Sequence, residues 1–237
     1  MIAGLSKVIT LYLAPVLALT SIILILLAFL SPVLLLQSRV ALLVVSPSLS
    51  LTNPGTTSSV DGPTLFLGAL GSCSRTSAAA NVKCEPPSLS PKYDLSALPN
   101  NAPDLLSAPT ATTPAFIAIS IGFTIIFFFL FTLMSLRHKL GARLATVMDR
   151  PGIQRISAWV GVFGFMIGLT AFLVIRMWFG KAVEDFNRSI SELGGNGPKI
   201  AASTSNGFIM IWVAYVFYAV PLVCALARLH VTATVGK

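Results

Sequence analysis

The stretch AFIAISIGFTIIFFFLFTLMSL, residues 115–136, carries no charged side chain and decides the fold class. At ~1.5 Å of rise per residue, a helix of this length crosses the ~30 Å hydrocarbon core of a bilayer. Outward from it, three further apolar runs occupy residues 8–36, 156–178 and 208–227, with Arg176 as their one charged residue. The chain therefore reads as one membrane domain over residues 1–237, an all-α bundle of four transmembrane helices. The first run is longer than a span requires, and Pro15 and Pro32 near its ends shorten the part that crosses. A cleaved signal peptide is the rival reading of this run. Its apolar region would be only ~7–15 residues and would end at a small-residue site, which is not found here.

Composition agrees. Hydrophobic residues make up 55% of the chain and charged residues 10%, against about 25% charged in a soluble domain. A soluble fold could not hide so much apolar surface, so the lipid bilayer is the first partner implied. Sixteen Lys and Arg against eight Asp and Glu give a net charge of +8. The basic residues flank apolar segments as membrane anchors instead of gathering on a polar domain, so no nucleic-acid partner is expected. No Asp or Glu lies inside a span, which argues against a proton pump or an ion-coupled transporter.

Orientation follows from Lys and Arg in short loops. Residues 137–155 hold Arg137, Lys139, Arg143, Arg150 and Arg155, with Asp149 the sole acid. This loop is expected in the cytoplasm, with both termini. Segments 37–114 and 179–207 then lie outside, where Asp61, Glu85, Asp94, Asp104, Glu184, Asp185 and Glu192 also fall. Arg176, close to the end of the third span, can snorkel to the interface.

The first outer segment carries two short apolar runs bounded by Gly, Pro and Ser, residues 39–45 and 64–70, which read as strands. Between them, residues 46–62 are rich in Ser, Thr, Pro and Gly and read as loop. Cys73 and Cys84 follow the second strand. In an oxidising compartment they favour a disulfide, which on the chain-entropy estimate contributes on the order of 3 kcal/mol. The rival is metal binding, but two Cys without a nearby His do not complete a four-ligand zinc site. Beyond Glu85 a Pro-rich return leads to the second span, with Tyr93, Asp94, Leu95 and Leu98 as its anchors. In the second outer segment Val183, Phe186, Ile190 and Leu193 give one apolar helical face, stopped by Gly194 and Gly195. This face is expected to pack under the strands, or alternatively to lie on the lipid surface.

The element Gly68-Ala69-Leu70-Gly71-Ser72-Cys73, with Cys84 eleven residues on and four spans around it, resembles the claudin-like tetraspans. Tyr93-Asp94-Leu95, the Pro-rich return and the Ser/Thr-rich loop are more similar to the fungal PalI/Sur group of cortical membrane proteins. The resemblance implies a small extracellular β-sheet above the bundle, with Gly68 and Gly71 as its motif glycines. It also implies a plasma-membrane protein of a walled cell, with roles in membrane domains, wall and stress responses or ambient-pH sensing. Two features depart from these families: the Trp that claudins carry before the first Cys is absent, and the tail after Arg228 is short.

Other residues invite two readings each. Gly161, Gly164 and Gly168 form a small-residue stripe in the third span, for packing within the bundle or for a dimer face. Cys224 is a buried inert thiol or a palmitoylation site. Asn187-Arg188-Ser189 is a glycosylation sequon close to the membrane. His138 and His230 flank the membrane on the inner side, poorly placed to sense outside pH. Phe127, Phe128, Phe129 and Phe131 crowd the second span. No catalytic triad, phosphate-binding loop or metal motif is seen, and no cofactor is expected.

The expected function is non-enzymatic: organising a membrane domain, or serving as scaffold or accessory subunit for other membrane proteins or a self-oligomer. The alternatives are a channel subunit or regulator of calcium entry, and a component of a pH or wall-stress pathway. A pore should show a polar stripe, for which Ser120, Thr124, Thr132 and Ser135 are the sparse candidates.

Overall fold

The computed structural model describes residues 12–51, 61–136 and 150–235. Arg137, Lys139, Arg143, His138 and Asp149 lie outside the described residues, as do residues 8–11 of the first apolar run and the side chain of His230. Among the described residues there are four apolar helices: α1 (Ala14–Leu30), α2 (Thr112–Ser135), α3 (Pro151–Leu193) and α4 (Gly207–Val235). Three of them, α2, α3 and α4, are long and apolar enough to cross a membrane, and α1 is a shorter apolar helix. The described residues also form five short strands: β1 (Leu43–Pro47), β2 (Thr64–Leu67), β3 (Ser72–Arg75), β4 (Lys83–Cys84) and β5 (Ile200–Thr204). The described chain divides into two compact units, a helical one and one that contains the sheet.

In the helical unit each helix buries residues three and four apart, the spacing of one helical face. In α1 these are Ala14, Ala18, Ile22 and Ile25; in α2 Ile117, Ser120, Thr124, Phe127 and Phe131; in α4 Ile211, Ala214, Tyr218 and Leu222. The opposite faces leave Val16, Ile23, Phe116, Ile126, Trp159, Phe163, Val216 and Val223 exposed. An apolar surface of this extent suits lipid and not water.

The sheet is antiparallel throughout, in the order β4-β3-β2-β1-β5. Leu43, Val45, Leu65 and Leu67 are fully buried on one face, joined there by Ile200 and Ala202. On the other face, Val33 and Ala41 pack with Phe66 and Cys73, and Val44, Val82 and Cys84 border them.

Several sequence expectations are corrected. The first apolar run, residues 8–36, is helical only as far as Leu30 and turns from Ser31 onward, the shortening expected at Pro32. Pro32 lacks the N–H that would continue the helix. Residues 39–42 are not strand, and β1 extends instead to Pro47. Residues 68–70 belong to a turn. Three of the five strands, β3, β4 and β5, lie outside the two apolar runs. In α3 the helix does continue past the apolar span and stops at Leu193, with Gly194 at φ +55°. Phe186 and Ile190 are buried as expected, but Leu193 is 48% exposed.

Candidate functional site

The element singled out in the sequence, residues 68–73, is the turn that joins β2 to β3. Its closing bond runs from Gly68 N–H to the Gly71 carbonyl (3.0 Å). Ala69 and Leu70 are buried beneath it. Gly68 sits directly on the Ser31–Pro32 turn at the end of α1: a Cβ there would overlap the Ser31 carbonyl oxygen and the Pro32 ring. Ser31 is itself held, its hydroxyl donating to the Val40 carbonyl (2.7 Å). Glycine at 68 is thus a requirement of close backbone approach.

The Pro-rich return is bolted to the same turn. Tyr93 donates its hydroxyl to the Gly68 carbonyl (2.8 Å), and its ring stacks on Phe179 at 6.5 Å. Burial of that hydroxyl raises its pKa well above the ordinary phenol range, so it stays a donor at any physiological pH. The Ser72 hydroxyl accepts Asp94 N–H (3.0 Å), and the Leu70 carbonyl accepts Ser88 N–H (2.9 Å). The Asp94 carboxylate accepts Ser96 N–H (2.9 Å), and hydrogen bonds from Ser96 hold its pKa below the usual carboxylate range. Leu98 is buried, whereas Leu95 is only half-buried.

Cys73 and Cys84 form a disulfide between directly opposed residues of β3 and β4. They terminate a row that crosses every strand in register: Ser203, Val44, Phe66, Cys73 and Cys84. The Arg75 guanidinium lies over the Phe66 ring, 5.6 Å from its centre, beside this row. Val44, Ser46, Arg75, Ala201 and Ser203 remain accessible on this face.

Asn187, in the sequon, is half-buried on α3. Its amide nitrogen donates to the Ala202 carbonyl and its oxygen accepts Ala202 N–H, both at 2.8 Å. Lys181, Glu184, Asp185 and Arg188 form exposed ion pairs on the same helix, and the hydrogen bond to Asp185 raises the Lys181 pKa. Such exposed pairs contribute little to stability. At the start of α4, Asn206 donates to the Arg39 carbonyl (2.8 Å), and the Arg176 guanidinium stacks on Phe208 at 5.2 Å.

In the helical unit the glycine stripe of α3 is filled from α2 and α4. Gly161 lies against Phe127 and Leu222, Gly164 against Phe123 and Tyr218, and Gly168 against Ser120 and Tyr215. Tyr218 donates to the Gly161 carbonyl (3.1 Å) and meets Phe127 edge-on at 5.5 Å. The hydroxyls of Ser120 and Thr124 face the same interior, with Thr124 donating to the Ser120 carbonyl (2.8 Å). Arg228 folds back over Phe131, its guanidinium 5.3 Å from the ring centre. Cys224, one turn earlier, is a half-buried free thiol.

Among the described residues no group of three or more His, Cys, Asp and Glu could hold a metal ion. No protein-family model matches the chain, and no curated protein matches it. The sheet unit and the apolar helices are therefore what any functional reading must build on.

Proposed function

We propose that the chain is a non-enzymatic four-span protein of the plasma membrane, similar to the claudin-like and PalI/Sur groups, with both termini in the cytoplasm and the sheet outside. Its role is to organise a membrane domain, or to act as scaffold or accessory subunit for a larger membrane complex.

The carrying observation is the bracing of the sheet unit. The turn at Gly68 is bound to the end of α1 and to Tyr93, β3 is bound to β4 through sulfur, and β5 is bound to Asn187. A sheet held at this many points keeps one shape, and a fixed surface lowers the entropy cost of binding a partner. The face with Val44, Arg75 and Ser203 is the part of that surface open to a neighbour. The exposed apolar sides of the helices supply a second contact zone, for lipid or for another membrane helix.

Purification from native membrane in a mild detergent, followed by mass spectrometry, tests the reading. A stoichiometric membrane partner, or a defined self-oligomer with lipid, is the expected outcome. Recovery of the intact protein as a lone monomer would refute it. The channel-subunit reading draws on the buried hydroxyls of Ser120 and Thr124. Both face an interior occupied by Tyr215 and Tyr218, and flux into liposomes holding the purified protein alone tests it.

A further inference from the structure

The sequon at Asn187 and the free edge of β5 meet in one pair of hydrogen bonds. β5 pairs with β1 on one side, and the register places Ala202 opposite Val45. The bonds joining these strands flank that position, from Ser205 N–H to the Leu42 carbonyl and from Ser48 N–H to the Lys199 carbonyl. In an antiparallel ladder hydrogen-bonded positions alternate, so residue 202 turns its N–H and C=O away from β1. These two groups, on the open edge of the sheet, are the ones that the Asn187 carboxamide takes, both at 2.8 Å. Phe186 and Ile190, one residue before and three after Asn187 on α3, are fully buried, so this part of the helix is packed inward.

A carboxamide that donates to and accepts from one strand residue does so like the backbone of an added strand. It uses its oxygen and the amide hydrogen on the same side as that oxygen. In an N-glycan the amide is trans, and the sugar carbon occupies the position of that hydrogen. The hydrogen left behind points the other way. The pair with Ala202 and a glycan on Asn187 therefore exclude each other.

We propose that Asn187 is the clasp of the β5 edge, and that its sequon is silent in the folded protein. The clasp also occupies the backbone groups through which a strand of another chain would add to β5 at this point.

Two measurements on the full-length protein test this. In hydrogen–deuterium exchange, the peptide containing Ala202 should exchange about tenfold faster in Asn187→Ala than in the wild type. Ser189→Ala destroys the sequon but leaves the clasp, and should exchange like the wild type. Equal exchange in wild type and Asn187→Ala would overturn the proposal. The second measurement is the intact mass of protein made in a glycosylating eukaryotic host, with Ser88→Asn as control. That change creates the sequon Asn-Leu-Ser at an exposed position of the same unit. A glycan at position 88 with none at Asn187 is expected. A glycan on Asn187 in molecules whose Ala202 amide stays protected would also overturn it. Failure to find a membrane partner would leave both readouts unaffected.

Discussion

Replacing Gly68 by alanine should loosen the sheet unit without touching the disulfide. The new methyl would overlap the Ser31 carbonyl oxygen and the Pro32 ring. Both are backbone-fixed, so neither can rotate aside. Restoring ordinary contact, at ~3.5 Å between heavy atoms, requires the turn to shift by about 1 Å. Overpacking of this kind costs typically about 1–3 kcal/mol. The shift also misaligns the 2.8 Å bond from Tyr93 to the Gly68 carbonyl, worth about 1 kcal/mol. The total is about 2–4 kcal/mol, or roughly 4–16 °C in melting temperature for a chain of this size. Thermal unfolding in mild detergent measures it. The control is Gly122→Ala, where nothing lies within 4 Å of the added carbon; it should stay within about 2 °C of wild type. Tyr93→Phe alone leaves the Gly68 carbonyl unpaired, and combined with Gly68→Ala should cost less than the sum, because the two share one bond. A Gly68→Ala protein that melts with the Gly122→Ala control would refute the close-approach reasoning.

Joint replacement of Cys73 and Cys84 by serine, cysteines 11 residues apart, should cost about 3 kcal/mol. Its melting curve should match that of reduced wild type, and maleimide should label Cys224 without prior reduction. Gly161→Leu places its side chain on Phe127 and Leu222 and should destabilise the folded chain by about 2 kcal/mol or more. A stable Gly161→Leu protein with an altered cross-linked oligomer would instead mark the stripe as an interchain face. Asp94 has a lowered pKa in the folded state, so its contribution is present at neutral pH and is lost as pH falls below the ordinary carboxylate range. Because the group is largely exposed, the loss should be under about 0.5 kcal/mol, read as a small drop in melting temperature as pH falls below about 4. Leu36 has φ 53°, so Leu36→Gly should relieve backbone strain and gain up to about 1 kcal/mol, checked by the same melting assay.

The apolar helices were legible because membrane-length runs with almost no charge have few other uses: α3 and α4 contain the expected spans 156–178 and 208–227, and α2 ends one residue short of the expected 115–136. Cys73–Cys84 and the turn glycines were legible as a motif, but their surroundings were not. Nothing local in Gly68 says that Ser31 will press on it, since that contact depends on where α1 ends. β3 reads Ser-Cys-Ser-Arg and β5 reads Ile-Ala-Ala-Ser-Thr. Neither alternates clearly, because both take their strand state from neighbours already in place. The signal missed for β5 was its setting: a Gly-Gly-Asn-Gly turn after α3, then Ile200 opening a short run of small residues. Asn187 drew attention as a sequon, while its bond to a strand thirteen or more residues away along the chain left no trace in local pattern. Leu193 is the last residue of α3 and is exposed, although the helical period places it with Phe186 and Ile190.

The order of closure within the sheet bears on how the protein is made. The β3–β4 bridge joins residues 11 apart, so it can form as soon as that segment is released. β1 must wait for β5, which enters beside it just before the bond between Asn206 and Arg39, 167 residues apart. At about 5–20 residues per second, translation leaves β1 with an unpaired edge for roughly 8–30 s. During that interval a half-built sheet, already oxidised on one side, stands open to mispairing on the other. The step that ends the exposure is the arrival of residues 187–206, so biogenesis of this chain is most sensitive to truncation or slowed synthesis in that window.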